Sequence, residues 1–510
     1  MPARVASAEE TIACERATIE AGTPASELMM RAGRRAASVI TARYDRIARG
    51  GVVIYAGSGN NGGDGWVVAA ALAKSGISSR VVEIGLPRSD EARAAREAAL
   101  ESKNVRLDET AGDERLVVDA LLGTGSSGSP RGEIAAAIAS IESLRSSGAT
   151  VVSLDLPSGL NATSGAHDGS VVATSTISFG VAKRGHLIAR DVCGDITIVD
   201  IGLNSSDLMN ELPELVDHAW VHSRLPSIPV DAHKGTRKRL AIVGGSSGMA
   251  GAVILSAQGA LRSGIGLLHV YCEKESLVSV HAASPAAIAH EWPETADELT
   301  ALSDAADCVA IGPGLGNNER SRDLVERILL SWNGPVVLDA DALNVFAGDL
   351  PSLGKLLNGR DAVLTPHPAE MGRLLGVETD RVLEQRFEIG ADVAASTNAA
   401  VLLKGSPTVV FSPSGARYVS ASGTAALATG GSGDVLTGMI GTLLAQMPDG
   451  LERAAEAASC GAFVHGRAAE RCRFVRGITI DDVLHALPVV WNEEPRKLAE
   501  GIIAELEKHA

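Results

Sequence analysis

From residue 51 the chain alternates short Val/Ile runs with longer Ala-rich amphipathic stretches: GVVIYA then WVVAAALAKSG, RVVEIG then EARAAREAALES, LVVDALLG then EIAAAIASIESL and TVVSLDL. A short apolar run buried on both faces, followed by a helix-length amphipathic run, is the pattern of a parallel sheet covered by helices on both sides. VVATSTISF and ITIVDIG read as further strands, and Ala8 to Ile40 reads as one or two helices broken at Gly22-Thr-Pro24. Between about Asn204 and Pro229 the periodicity fails, which places a junction there. A second alternation starts at RLAIVGG and runs through LLHVYCE, DCVAIGPGLG, PVVLDADALN, AVLTPHPAE, AVLLKGS and TVVFSPSG to a long helical tail. The expectation is an α/β protein of two three-layer αβα domains, a Rossmann-like one over residues 1–215 and a second over 231–510, joined by a linker at 216–230. The halves do not repeat one another, so they are expected to be different folds.

Composition narrows the function. The 510 residues carry 46 Lys plus Arg against 62 Asp plus Glu, a net charge of −16 that would repel a phosphate backbone. Aromatic residues are only 3%, too few for the stacking platforms of a single-strand binder. No nucleic-acid partner is therefore expected. The opening MPARVASAEETIACER is charged where a leader needs an apolar core, and no apolar run approaches the roughly 18 residues of a membrane span. A soluble, cytoplasmic protein with no membrane partner is the expectation. The six cysteines are scattered without a C-x-x-C pair, and read as incidental thiols.

Chemistry concentrates at the ends of the strand-like runs, where α/β sheets bind ligands. After GVVIYA comes Gly57-Ser-Gly-Asn60-Asn61-Gly62-Gly63-Asp64-Gly65, a glycine-rich turn into a helix that fits close backbone approach to an anion, although it matches neither the dinucleotide nor the P-loop fingerprint. Asp119 precedes the Gly/Ser loop Gly123 to Ser129, and Asp155 precedes Pro157-Ser158-Gly159. Two carboxylates and an Asn pair at one sheet edge can coordinate a cation or exchange protons; Asp119 and Asp155 can equally cap the helices that follow.

NNGGDG, VDALLGTG, SLDLPSG and SFGVAKRGHL, in that order, resemble the NAD(P)H-hydrate epimerase family. The resemblance implies that Asn60, Asn61, Gly62, Gly63 and Asp64, the loop Gly123, Thr124, Gly125, Ser126, Ser127, Gly128 and Ser129, and Asp155 contact a hydrated nicotinamide dinucleotide (NADHX or NADPHX), with Asp155 catalytic. It also implies a potassium ion on Asn61, Asp119 and Ser158. The sequence departs from the family at Met30, where Glu is usual, and at Ser58, where Pro is common.

In the second half, Thr429-Gly430-Gly431-Ser432-Gly433-Asp434 gathers backbone N–H groups at a helix start and puts a carboxylate beside them, a pairing suited to phosphoryl transfer as well as to helix capping. With HKGTRKRLAIVGGSSGMAGA, GPGLG, VLDADALN, LTPHPAEMGRLLG and LLKGSPTVV, it resembles the NAD(P)H-hydrate dehydratase domain, a ribokinase-like fold. The resemblance implies that Ala252, Gly316, His367 and Asp434 meet the hydrate, Asp434 being catalytic, and that Lys404, Gly405, Ser406, Pro407, Thr408 and Gly433 hold the nucleotide, ADP with Mg²⁺. Lys238 stands where the family often has Gly. Asp339 and Asp341 suit a phosphate or Mg²⁺ role and equally a plain helix start, and are not assigned to catalysis.

The function these readings imply is repair of nicotinamide cofactors: epimerisation of R and S hydrates by the first half, and dehydration of the S form to NAD(P)H by the second as ADP gives AMP and phosphate. A ribokinase-type kinase of hydroxymethylpyrimidine or thiazole alcohols, with a non-enzymatic first half, is the alternative. Close packing of Ala- and Gly-rich helices between subunits makes a homo-oligomer the expected state.

Overall fold

The computed structural model describes residues 2–203, 207–472 and 474–508; the start of the expected junction, 204–206, lies outside them. The chain divides into two compact units, one running to Leu215 and taken up again from Lys497, the other Val216–Arg496.

In the first unit the strands stand in the order Ile502–Leu506, Asp195–Val199, Ser175–Phe179, Thr150–Leu154, Leu116–Ala120, Val52–Gly57, Ser79–Ile84, Val105–Asp108. All neighbours are parallel except the first pair. Period-two alternation sorts the strand side chains between two apolar layers. Val52, Ile54 and Ala56 face the helices Ala25–Ala48, Asn60–Lys74 and Asp90–Leu100, while Val53 and Tyr55 face the helix Gly132–Ser146. The expected break at Gly22-Thr-Pro24 separates the helices Ala8–Glu20 and Ala25–Ala48. After Val105–Asp108 the chain returns to the other side of Val52–Gly57, so the order reverses between Val52–Gly57 and Leu116–Ala120, the crevice where open α/β sheets take ligands.

The second unit repeats the logic with different connections. Its strands run Arg417–Ser420, Thr408–Phe411, Ala400–Leu403, Ala362–Leu364, Val336–Leu338, Cys308–Ile311, Arg239–Val243, Leu267–Cys272, Ile288–Glu291. The two pairings at the Arg417 end are antiparallel and the rest parallel. Leu240 and Ile242 face a layer built around the helices Ala250–Arg262, Ser432–Gln446 and Arg453–Arg471. The reversal falls between Arg239–Val243 and Cys308–Ile311.

Two boundaries differ from expectation. Residues 216–230 are not a free linker: Val216, Trp220 and Val221 are buried in the core of the second unit, and Arg224 stacks 3.8 Å over the Trp220 ring. Nor does the second unit extend to residue 510. Ile502–Leu506 pairs antiparallel with Asp195–Val199, Arg43 meets Glu505 at 2.5 Å, and the Lys508 N–H donates to Asp195 at 2.6 Å, so the tail belongs to the first unit. Its sequence GIIAELEKHA reads as helix by propensity; pairing along an open strand edge decides otherwise.

Candidate active sites

In the first unit, the turn after Val52–Gly57 can be made only of glycine where it crosses its own strand: a Cβ on Gly62 would lie 1.8 Å from the Gly57 carbonyl oxygen. That crossing buries Asn61. Its Nδ2 donates to the carbonyls of Leu122 (2.8 Å) and Leu154 (3.1 Å), and its buried Oδ1 has no partner among the described residues. Asp119 is fully buried and accepts from the Ser153 hydroxyl (2.8 Å) and from both the N–H (2.8 Å) and the hydroxyl (2.5 Å) of Ser158, whose hydroxyl in turn accepts from the Leu122 N–H. Asn61, Asp119 and Ser158 thus meet around the Leu122 peptide.

Asp155 sits at the next strand end in a left-handed conformation, φ 63°. A non-glycine residue holds that conformation only where its surroundings fix it. Here His186 does: its Nδ1 accepts from the Lys183 N–H (3.1 Å), which leaves Nε2 to donate to the Asp155 carbonyl (2.9 Å). Burial, and then Lys183, hold this imidazole neutral by pushing it down to about 3. The Asp155 carboxylate accepts from Lys183 Nζ (2.5 Å) and from the Thr124 N–H (2.8 Å) and hydroxyl (2.7 Å). Burial alone would raise this carboxyl, but the Lys183 ammonium and the Thr124 donors outweigh it and hold it below the usual carboxylate range. Lys183 and Thr124 thus fix the position of the Asp155 carboxylate at the strand end.

Asp64, just beyond the first turn of the helix Asn60–Lys74, behaves oppositely. It is 8% exposed, its carboxyl has no hydrogen-bond or ion-pair partner among the described residues, and burial, then the Asp155 and Glu15 charges, push it well above the usual range. Of the remaining residues expected here, Asn60 is exposed and accepts from the Ser89 hydroxyl, and Ser126 folds back on the Gly123 carbonyl. Gly125, Ser127, Gly128 and Ser129 form the open part of that loop. Met30 points away from the turn into a groove with Arg34 and Lys74, while Met29 packs on Gly63. Lys183 lies inside the motif SFGVAKRGHL yet was not singled out from sequence; nothing in the spacing says that it reaches a carboxylate 28 residues away.

In the second unit the centre is Asp339, at the end of Val336–Leu338. Its carboxylate accepts from Lys404 Nζ (2.6 Å), Thr365 (2.7 Å) and Thr437 (2.6 Å), and these donors overcome burial to hold it below the usual range. Lys404 follows Ala400–Leu403; burial pushes its ammonium down, but Asp339, Glu370 and Asp434 more than reverse this. A Cβ on Gly433 would come 3.1 Å from Lys404 Nζ, so the glycine turn opening Ser432–Gln446 lies directly against this pair. Asp434 is next in the chain. Its carboxyl has no partner among the described residues, and burial, then the Asp339 charge, raise it to about 7.

Around this centre, Ala252 packs on Gly314 of GPGLG, and the Gly316 N–H donates to Asp341 (2.8 Å). Asp341 therefore braces a loop as well as opening a helix. His367 caps Pro368–Leu375: its Nδ1 accepts from Ala369 (3.2 Å) and Glu370 (3.4 Å), leaving Nε2 at 3.4 Å from the Glu370 carboxylate. Gly405, Ser406, Pro407 and Thr408 form the turn of an antiparallel hairpin, held by Arg386 on the Ser406 carbonyl and by the Thr408 hydroxyl on the Gly405 carbonyl. Lys238 adopts φ 66°, a glycine conformation, at the position where Gly is common.

Comparison with known proteins places the chain. Residues 25–185 match the family described as YjeF-related protein N-terminus, and residues 240–487 match NAD(P)H-hydrate dehydratase. The chain is 35% identical over 491 residues to the Bifunctional NAD(P)H-hydrate repair enzyme Nnr of Coxiella burnetii, covering 94% of this chain and 97% of that protein. It belongs to the bifunctional NAD(P)H-hydrate repair enzyme family. The Escherichia coli family member is 35% identical over 488 residues, covering 92% of this chain and 90% of its own length. The ADP/ATP-dependent NAD(P)H-hydrate dehydratase from Bacillus subtilis, co-crystallised with ATP/Mg²⁺, aligns with 54% of this chain and 96% of its own at 30% identity and a TM-score of 0.47. The matched segments contain the site residues described above except Glu15, His186 and Lys238. No helix among the described residues is long and apolar enough to cross a membrane.

Proposed function

We propose that the two sites act in series on hydrated nicotinamide dinucleotides, the first interconverting the R and S hydrates of NADH and NADPH, the second dehydrating the S form at the expense of ADP. The observation that carries this reading is the Asp434 carboxyl, without a partner among the described residues, raised to about 7, and set beside the glycine turn and the Lys404–Asp339 pair.

The hydrate bears a hydroxyl on C6 of the reduced ring, and hydroxide leaves poorly. Asp434 takes the hydroxyl proton as that oxygen attacks the terminal phosphorus of the nucleotide and AMP departs. The N–H groups of Gly431, Ser432 and Gly433 and the Lys404 ammonium face the charge that develops on the transferring phosphoryl group. Phosphate then leaves C6 and a proton leaves C5, which restores the dihydropyridine. A base with a value near 7 is half ionised at neutral pH, the compromise between availability and strength that proton abstraction requires. Lys404 to Thr408 hold the nucleotide, and Ala252, Gly316 and His367 Nε2 hold the hydrate.

Potassium fits the first site: the donors there are all oxygen, and the buried Asn61 Oδ1 lacks a partner. Asn61, Asp119 and Ser158 would hold it, and its charge would fix the loops that bear Asp64 and Asp155. Mg²⁺ is assigned to the nucleotide as its counter-ion. Among the described residues no three His, Cys, Asp or Glu side chains gather to hold a metal, and Asp339 has its oxygens committed to Lys404, Thr365 and Thr437, so no step is given to a resident Mg²⁺.

The test is recovery of the near-ultraviolet absorbance of the reduced ring from a mixture of both hydrates. With ADP and Mg²⁺ the full chain is expected to convert the whole mixture, whereas a protein with the second activity alone would stall when the S form is spent. Stable phosphorylated product in place of the reduced ring would overturn the reading in favour of a kinase.

A further inference from the structure

The helix Ala8–Glu20 lies before residue 25, outside the segment matched by the family model, and it carries a carboxyl near Asp155 that no motif announces. Its position is fixed by three contacts. Val5–Ala6 pairs with Ala182–Lys183 in parallel, placing Ala6 opposite Lys183. Ser7 and Glu10 form a capping box at the helix start, and Glu10 also meets Arg184 at 3.1 Å. The Ala8 N–H donates to the Thr163 hydroxyl at 2.9 Å.

Glu15 follows Glu10 by about one and a half turns on a helix whose buried side carries Thr11, Cys14 and Thr18. Glu10 is ion-paired; Glu15 is half-buried and has no hydrogen-bond or ion-pair partner among the described residues. It stands within electrostatic reach of Asp155, Lys183 and Asp64. The nine-tenths-buried Asp64, also without a partner among the described residues, is a second carboxyl within electrostatic reach of Glu15.

We propose that Glu15 is a catalytic carboxyl of the epimerase site, acting with Asp64 while Asp155, clamped by Lys183, holds the substrate as a fixed anion. This inference rests on the epimerase reading given above. In the forward step Glu15 takes the proton of the C6 hydroxyl as the C6–N1 bond breaks; the bond pair goes to N1, which receives a proton from Asp64, and C6 becomes an aldehyde. Rotation about C5–C6 presents the other face, N1 attacks it, Asp64 recovers its proton from N1, and Glu15 returns its proton to the new hydroxyl. No oxidant or reductant is consumed. Burial, then the Asp155 charge, raise Glu15 to about 6 against the opposing Lys183, and burial, then the Asp155 and Glu15 charges, push the Asp64 carboxyl well above the usual range. The other charged groups close by, Arg184 and Glu10, are paired with one another, and His186 is neutral.

The experiment uses the full chain and the R hydrate alone, without nucleotide, following the appearance of S. Glu15→Gln is expected to lower epimerisation kcat about 100-fold with little change in KM. The fall of wild-type kcat below about pH 6 should vanish from what remains, and Glu15→Asp should restore part of the rate with that acid limb. Dehydration of the S hydrate with ADP should be unchanged in both variants, which reports that the chain has folded. Wild-type rate and pH profile in Glu15→Gln would overturn the proposal. So would equal losses in both variants with the acid limb intact, because that pattern belongs to a packing role. Failure of the wild-type chain to epimerise the hydrate at all would instead remove the epimerase reading on which the proposal stands.

Discussion

Each of the two sites pairs a clamped carboxylate with a free carboxyl, but the sites distribute the roles differently along the chain. In the first, Asp155 is tied to Lys183 and Thr124 and held low, while Asp64 is free and held high. In the second, Asp339 is tied to Lys404, Thr365 and Thr437 and held low, while Asp434 is free and raised to about 7. The aspartate that stands out in the motif is the clamped one in the first site and the free one in the second. A carboxylate at a strand end marks where chemistry happens; only its partners tell whether it anchors charge or moves protons.

This contrast is broken most severely at Asp434. Asp434→Asn should reduce dehydration by about 10²- to 10⁴-fold while nucleotide binding, read by calorimetry, and epimerisation persist. In the wild type, kcat/KM for dehydration should rise with pH through about 7, since the base must be ionised, and full activity at about pH 5 would contradict the assignment. Next is the clamp of the first site: Lys183→Met strands the buried Asp155 charge and should cost the first unit about 3–5 kcal/mol, measured by denaturant unfolding, with epimerisation lost.

A smaller effect concerns stability. A folded-state value raised from 3.8 to about 7 means that the folded chain holds a proton on Asp434 that the unfolded chain has released, so stability falls as pH rises between those values. Asp434→Asn should therefore stabilise the second unit by about 1–3 kcal/mol at pH near 8 and scarcely at all near pH 4, seen as a pH-dependent rise in Tm. Smallest is Lys238→Gly, which relieves a left-handed backbone and should alter stability by no more than about 1 kcal/mol, without touching either activity.

Much of this architecture is legible in the sequence. The Val/Ile runs became two largely parallel sheets, and the glycine turn of the first unit fell at the strand end beside the reversal, because a buried parallel strand must be apolar throughout and a close crossing must be glycine. The family was likewise readable from ordered motifs. What was not legible depended on partners distant in sequence. Lys183 meets Asp155 and Lys404 meets Asp339, 65 residues away, only once the sheets are assembled. Glu15 looks like any glutamate on an amphipathic helix until its lack of a partner is seen. The supposed linker hid Trp220, whose burial no local pattern could foretell.

The strand Ile502–Leu506 has a consequence for biosynthesis. It completes a sheet whose other strands were translated some 300 residues earlier, and Asp195–Val199 remains an open edge until it arrives. The half of the molecule that leaves the ribosome first is thus the half that is finished last. A piece cut at residue 215 would keep every motif of the first site and still present an unsealed margin to its neighbours.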